Sequence, residues 1–463
     1  MKKVLSTIAA LGLVAGLAST AGAVEFKMSG KYMVEGTYLS NSDGNGIVPL
    51  EQSALNGGTN HSDSWFLHTF EIKPTMQVND KVSMVSVIRL ADDTFLGGQT
   101  YGDTDTTNHN INSFYVHQLY MNYESPIGKF VIGRTPAGGF GTAFMDYNGR
   151  ADRIQLFPSF LASGPISTQF YLEKSTDNLA AYNNVGYVTT PGATDADSTK
   201  YDARVFYKND NLDSGLEYAF KNNKTVATVS DQKQNLTAYG KFKLDNYFAN
   251  AELTHFFGSK DWDASTGNLN QDYNSWAAFL QGGIKIDALT ASLAYAYAEG
   301  QDINKTAANG GDITNALNYT GVPQAQGTGD QFEPLYILTG RSTGILNTDI
   351  YSGRTASASA AGMHCIVAAA DYAVSNQLTL HGAVGWAKAD QNVMVDGAGQ
   401  LFATNNDTYG WEYNVGAAYK LLDNLTYEAH FGYLDTGNYF NTNSSTDIYK
   451  NVYILTHSLT MTF

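Results

Sequence analysis

Apolar and polar residues alternate along most of this chain with a period of two. Phe26, Met28, Tyr32, Val34 and Tyr38 alternate with Lys27, Ser29, Lys31, Glu35 and Thr37. Leu216, Tyr218 and Phe220 interleave with Glu217 and Lys221, and Trp411, Tyr413, Val415, Tyr419 and Leu421 interleave with Glu412, Asn414 and Lys420. Successive side chains on a strand point to opposite faces, so each such segment predicts a strand with one apolar and one polar face. Between the segments the connections alternate in length. The short ones carry turn formers: Asn79-Asp80, Ser125 to Gly128, Ser163-Gly164, Asn209 to Asp213, Asp245-Asn246, Asp287-Ala288, Ser375-Asn376 and Asp423-Asn424. Asn and Asp tolerate left-handed backbone and bond their own main chain, which suits tight hairpins. The long ones are polar and rich in Gly, Asn, Asp and Thr, near 40–63, 91–111, 135–150, 176–199, 222–233, 259–273, 300–361, 390–408 and 437–447.

Eight short and nine long connections join eighteen strands and leave both chain ends on the short-turn side. The prediction is an all-β fold, a transmembrane antiparallel up-and-down β-barrel with short periplasmic turns and long extracellular loops. Two other counts stay open. Sixteen strands result if 135–175 is one excursion, and twenty if Phe332 to Leu338 belongs to a further hairpin in 300–361.

The ends of the chain refine this. Lys2 and Lys3, the apolar stretch Val4 to Ala18 and the small-x-small pattern Ala21-Gly22-Ala23 read as a signal peptide cleaved after Ala23, leaving residues 24–463 as one barrel domain. In the last strand Tyr453, Leu455, Leu459, Met461 and Phe463 share one face, against Val452, Ile454, Thr456, Ser458, Thr460 and Thr462 on the other. Paired with Val24 to Leu39, this strand would close the barrel and leave no free edge.

Composition agrees with lipid outside and water inside. The chain holds 30 Tyr, 45 Gly, 9 Pro and only 16% charged residues, and no apolar run after the first residues is long enough for a helical span. One Cys excludes a disulfide framework and a c-type haem. A formal charge of −16 argues against nucleic acid as a main partner. The His residues are scattered without metal-ligand spacing, and Asp43 to Gly46 and Asp103 to Asp105 lack the later Glu of a calcium loop. No metal and no cofactor is expected.

A terminal Phe463 after such alternation resembles the assembly signal of bacterial outer-membrane proteins. Together with the signal peptide and hairpin rhythm, it makes the chain similar to the Gram-negative porin superfamily. The most local likeness is Gly128 to Arg134, GKFVIGR, which resembles the general-porin strand carrying a Gly-Arg pair before the third loop. The resemblance implies a water-filled outer-membrane channel for passive diffusion of small hydrophilic solutes, working as a homotrimer. It implies that Leu459, Met461 and Phe463 engage the barrel assembly machinery, and that membrane lipid and lipopolysaccharide surround the barrel. It also implies that the third loop, here Thr135 to Arg150, folds inward as a constriction. The segment is Gly-rich but short, so 300–361 would share that task.

The chemistry of such a channel is electrostatic. Polar faces place Lys31, Lys73, Arg89, Arg153, Arg204, Lys241 and Lys243 in the lumen, with Glu35, Glu71, Glu173, Glu217 and Glu252. Arg150 and Asp146 fall on the third loop. Arg134 is a further pore-lining candidate, although strict alternation aims it at lipid; a bulge at Gly133 or a position above the bilayer would resolve that. The expectation is a basic cluster of Arg89, Arg153 and Arg204 facing Asp146 across the constriction. The alternative is that these arginines pair with neighbours on the wall. Trp65, Tyr120, Tyr123, Tyr207, Tyr247, Trp276 and Tyr427 are candidates for interfacial girdles, with the alternative that some, such as Tyr120, share the polar face and fill the lumen wall. Competing functions are a substrate-selective channel, which would want a dense Arg or Lys ladder; an outer-membrane enzyme, which would want a catalytic Ser/His or Asp/His set; and a sheath around an electron-transfer partner.

Overall fold

The computed structural model describes residues 24–42, 61–96, 115–144, 149–176, 182–183, 186–187, 197–226, 228–305, 310–316, 334–339, 360–395, 401–440 and 451–463. The expected signal peptide and Asp146 lie outside these residues. Eighteen strands run in chain order: β1 Glu25–Ser42, β2 His61–Asn79, β3 Val82–Phe95, β4 Tyr115–Ser125, β5 Gly128–Pro136, β6 Arg150–Pro158, β7 Ile166–Thr176, β8 Ser198–Lys208 and β9 Leu212–Asn223. They continue as β10 Val229–Leu244, β11 Tyr247–Trp262, β12 Gln271–Ile286, β13 Leu289–Ala298, β14 Met363–Ala373, β15 Leu378–Lys388, β16 Thr408–Leu422, β17 Leu425–Thr436 and β18 Val452–Thr462. Each pairs antiparallel with its sequence neighbours in one eighteen-stranded sheet. Two small hairpins, Tyr182–Asn183 with Gly186–Tyr187 and Val393–Val395 with Leu401–Ala403, stand apart from it.

The count is eighteen and not sixteen or twenty. Residues 150–158 and 166–176 are separate paired strands, and Pro334 to Thr339 adds no hairpin to the wall. The short connections are tight for the reason the sequence suggested. Asp245 and Asp287 take positive φ of 50° and 48° in two-residue turns, and Asn79 and Asn209 accept hydrogen bonds from amides two and three residues ahead.

The sheet closes on itself through β1 and β18, in register from Lys31 opposite Thr462 to Leu39 opposite Ile454. The Phe463 and Gly30 backbones then exchange hydrogen bonds of 2.8 and 3.1 Å. The Phe463 ring lies over Gly30, where a Cβ would come within 2.3 Å of it. Glycine is needed there for close approach.

Pleating sorts the strands into two faces. Phe26, Met28, Leu216, Leu253, Leu280, Leu293, Val415, Leu455, Leu459, Met461 and Phe463 are exposed on the outward face. Charged residues with the outward phase stand near loop-side strand ends, among them Arg134, Arg150, Asp152, Lys174, Asp261, Asp272, Lys388 and Asp435. A charge at mid-depth would cost about 2–4 kcal/mol, and one at the interface about 0–1 kcal/mol. This is a membrane-spanning barrel of the outer-membrane type. Tyr123, Tyr207, Tyr247, Trp276 and Tyr427 sit on the outward face, but Trp65 and Tyr120 do not. Trp65 is opposite Thr37 and packs on inward residues, because its phase belongs to the lumen side of β2.

Candidate functional site

The inward face is built from two unlike walls, and each holds an infolded segment. The first wall runs over β6 to β11 and is charged. Arg153 meets Glu173 at 2.7 Å, Arg204 meets Glu217 at 2.7 Å and Asp202 at 3.0 Å, and Lys200 lies 3.4 Å from Asp202. These groups are on neighbouring strands: Arg153 is opposite Glu173, Glu173 opposite Lys200, and Arg204 opposite Glu217. All are buried. The Tyr171 ring holds the set together, with the guanidinium of Arg153 at 4.2 Å and that of Arg204 at 5.1 Å. Buried ion pairs gain little net stability, because desolvation opposes the attraction, yet removing one partner costs about 3–5 kcal/mol. The cluster therefore fixes geometry more than it adds to stability.

Against this wall lies Ala137 to Phe144, the third loop. Arg153 donates to the Ala137 carbonyl at 2.9 Å. Glu252, on β11, accepts from the Thr142 amide at 2.5 Å and its hydroxyl at 2.6 Å. Gly141 has φ +87°, and a Cβ there would lie 2.8 Å from the same carboxylate. Phe140 packs edge-on against Tyr239 and Phe206, over the Arg204 guanidinium at 5.1 Å, while Phe144 stacks on Phe279. Ala137 to Phe144 lies against the inward face, pinned by one carboxylate.

The second wall runs over β12 to β18 and is small and apolar. Ala294, Ala296, Ala298, Met363, Cys365, Val367, Ala387, Leu434, Val452 and Ile454 face inward and are buried. Pro334 to Thr339, from the connection between β13 and β14, folds against it. Leu335, Ile337 and Leu338 are no more than 2% exposed. Glu412 on β16 accepts the amides of Tyr336, Ile337 and Leu338 at 2.7, 2.8 and 2.7 Å. Three successive N–H groups converge on one carboxylate in the manner of an anion-binding nest. The Tyr336 hydroxyl reaches His430 Nδ1 at 2.6 Å. Gly385 leaves room for Leu335, whose Cδ1 would be 2.4 Å from a Cβ. Burying three such side chains contributes roughly 5–9 kcal/mol as an upper figure.

At the loop-side end Asp390 ties the second wall together. It accepts from the Gly300 amide at 2.9 Å and contacts His364 Nε2 at 3.2 Å, while His364 Nδ1 meets the Tyr295 hydroxyl at 2.7 Å. Burial alone would raise the Asp390 carboxyl, but hydrogen bonds from His364, Gly300 and Gln391 win and hold it below the ordinary Asp value.

The residues singled out from the sequence distribute as follows. Arg153 and Arg204 come together on the first wall. Arg89 pairs with Glu71 on β2 at 3.0 Å, three strands from Arg153. Lys73 faces inward opposite Ser29 and is exposed. Arg134 is opposite Leu119 and Asp152 and lies on the outward face, at the interface. Positive φ at Gly133 does not turn it inward. Arg150 lies 2.9 Å from His117 Nδ1 and over the Tyr115 ring. What the sequence did not single out is Glu412 as an anchor, or Lys200, Asp202 and Lys233 as wall charges. Their alternation was visible, but their neighbours depend on strand register.

No protein-family model matches the sequence, and no curated protein matches it. Among solved structures the chain is similar to OccK8 (OprE) of Pseudomonas aeruginosa at 10% identity and a TM-score of 0.49, over 94% of this chain and 98% of that one. It is similar to an anion-selective porin from Comamonas acidovorans at 10% identity and a TM-score of 0.46, over 95% and 100%. It is also similar to a loop L8 deletion mutant of OmpT, an outer membrane protein of Vibrio cholerae, at 10% identity and a TM-score of 0.40, over 95% and 100%. The barrel assignment rests on this chain's own strand pairing and closure.

Proposed function

We propose that the barrel is a water-filled outer-membrane channel through which small hydrophilic solutes diffuse passively, and that it catalyses no reaction. The observation that carries this reading is the division of faces: a closed sheet with an apolar outside and a charged, partly lined inside. Ala137 to Phe144 and Pro334 to Thr339 are the elements that narrow it, each pinned by a single glutamate. The charges that set ion preference are those of the first wall, with Arg89, Glu71, Lys73 and Arg150 along the approach, and Asp146 on the same loop as Phe140. On this reading the chain is exported, cleaved after Ala23, recognised by the barrel assembly machinery through Leu459, Met461 and Phe463, bounded by lipopolysaccharide, and assembled as a homotrimer.

Purified protein added to a planar bilayer in potassium chloride should give discrete current steps. Folded barrel that inserts without steps would sink the channel reading. Intact-mass measurement of protein from the outer-membrane fraction checks the cleavage site independently.

A further inference from the structure

Two imidazoles stand in the middle of the lipid-facing band, on either side of the β1–β18 seam. His457 on β18 has the outward phase, between Leu455 and Leu459, with Tyr453 loopward and Phe463 at the far end. His68 on β2 has it too, opposite Val34 and between Phe66 and Phe70. Elsewhere the same band carries residues such as Leu216, Leu253, Leu280 and Val415. Acyl chains offer no hydrogen-bond partner. An ionisable side chain at this depth is therefore rare, and it faces protein or water rather than lipid.

Neither ring is satisfied within its own chain. His68 Nε2 is covered by its neighbours and has no hydrogen-bond partner, so a partner must be met through the other edge of the ring. That ring stands edge-on to Tyr32 at 6.2 Å. His457 is opposite Gly36, where a Cβ would come within 2.5 Å of its Nε2. Its ring is edge-on to Phe66 at 5.6 Å and lies 6.0 Å from the Tyr427 ring, with no hydrogen bond among the described residues. Gly36 thus leaves a notch in the outer surface, walled by Phe66 on β2 and His457 on β18.

We propose that this face packs against a second copy of the chain, the β17–β18 flank of one barrel on the β1–β2 flank of the next, so that His457 of one copy hydrogen-bonds His68 of its neighbour. An imidazole with one ring proton carries one donor and one acceptor, so two such rings are complementary without net charge. An unlike partner would have to bring a matching polar group to the same depth, and a copy already carries it. The two flanks are different surfaces, so the contact is head-to-tail and closes as a ring with the seams toward its axis. The inference names the contact face of the homo-oligomer proposed above and rests on that reading.

The test is oxidative cross-linking of the full chain folded in lipid vesicles, with His68→Cys and His457→Cys combined. Within one copy these positions are two strands and two residues apart, about 12 Å, beyond the roughly 7 Å between Cα atoms that a disulfide spans. The native Cys365 is buried and has the inward phase. A disulfide from the pair therefore joins two copies, and copper phenanthroline should give covalent dimer and trimer on a non-reducing gel. Leu216→Cys with Leu253→Cys is the control, with the same two-strand spacing on the outward face of β9 and β11. It should stay monomeric. Separately, His457→Leu should shift the unheated oligomer toward monomer, roughly three- to tenfold per contact, without changing the heat-dependent mobility of the barrel itself. Equal cross-linking of both pairs would overturn the proposal, as would a seam pair that forms no disulfide in protein still running as an oligomer. An oligomer no weaker in His457→Leu, the result for an imidazole that faces lipid, would overturn it as well. Wild-type protein that conducts as a monomer would overturn the homo-oligomer reading and this contact with it, and leave the channel reading standing.

Discussion

The two lumen walls solve one problem in opposite ways. Each must hold an irregular segment inside a barrel, where backbone amides cannot be left without acceptors. The charged wall meets Ala137 to Phe144 with rings and a guanidinium, and its anchor Glu252 takes one amide and one hydroxyl, both from Thr142. The apolar wall meets Pro334 to Thr339 with alanine, leucine and isoleucine, and its anchor Glu412 takes three amides. Where the wall offers ionic and aromatic contacts, one short latch is enough. Where the surface is mostly apolar, the anchor takes three amides of the turn, and the Thr339 hydroxyl takes the Leu335 amide.

The largest expected effect is on the charged wall. Arg204→Met leaves Glu217 and Asp202 buried without their main partner and should destabilise the barrel by about 3–5 kcal/mol. Heat-dependent gel mobility of folded barrel reads this, and adding Glu217→Gln should recover part of the loss. A neutral outcome for the single variant would mean that the cluster is wet. Next comes Glu412→Gln, which replaces a charged acceptor of three amides and should cost about 1.5–3 kcal/mol. It should also raise single-channel conductance as Pro334 to Thr339 loosens; unchanged conductance would show that this segment does not narrow the path. Glu252→Gln should act in the same direction but less, by about 1–2 kcal/mol, and an effect exceeding that of Glu412→Gln would invert the comparison. The smallest effect is at Asp390. Its carboxyl is held below the ordinary value of 3.8, so its contribution is present above that pH and is lost as pH falls through the depressed value. Asp390→Asn should lower the unfolding midpoint slightly at neutral pH, where that contribution is present, and remove the acid dependence.

Most of the barrel was legible in the sequence, and the reason is geometric. A period of two with Asn and Asp turns states where each strand begins and which residues share a face. The pairing of β18 with β1 follows from those, while the count of eighteen stood beside sixteen and twenty until the pairings of β6 and β7 decided it. Arg134 was a pore-lining candidate, and the phase it shares with Ile132 puts it on the outward face instead. The walls were harder. Inward Ala294, Ala296 and Ala298 are as apolar as the outward positions beside them, so alternation cannot say that they face a folded-in segment. Leu335 to Leu338 looks like a strand because it is a short, mostly apolar run, and what holds it inward is the Glu412 carboxylate on the wall it packs against, opposite Gly385. Trp65 has girdle chemistry but lumen phase. Counting arginines also hid that Lys221 stands opposite both Lys200 and Lys233, because opposition across strands is a property of register and not of composition.

The seam between β1 and β18 has a consequence in time. The hydroxyls of Tyr38 and Tyr453 lie 3.4 Å apart although 415 residues separate them. Until the last strand has been made, β1 has no partner on one side, and every intermediate presents an open edge ready to pair with another chain. Contacts of such sequence separation form slowly, because the whole intervening chain must be ordered before they repay it. The ring over Gly30 is thus the final contact of a process that no earlier part of the chain can complete, and the molecule has no half-built form that is safe to leave waiting.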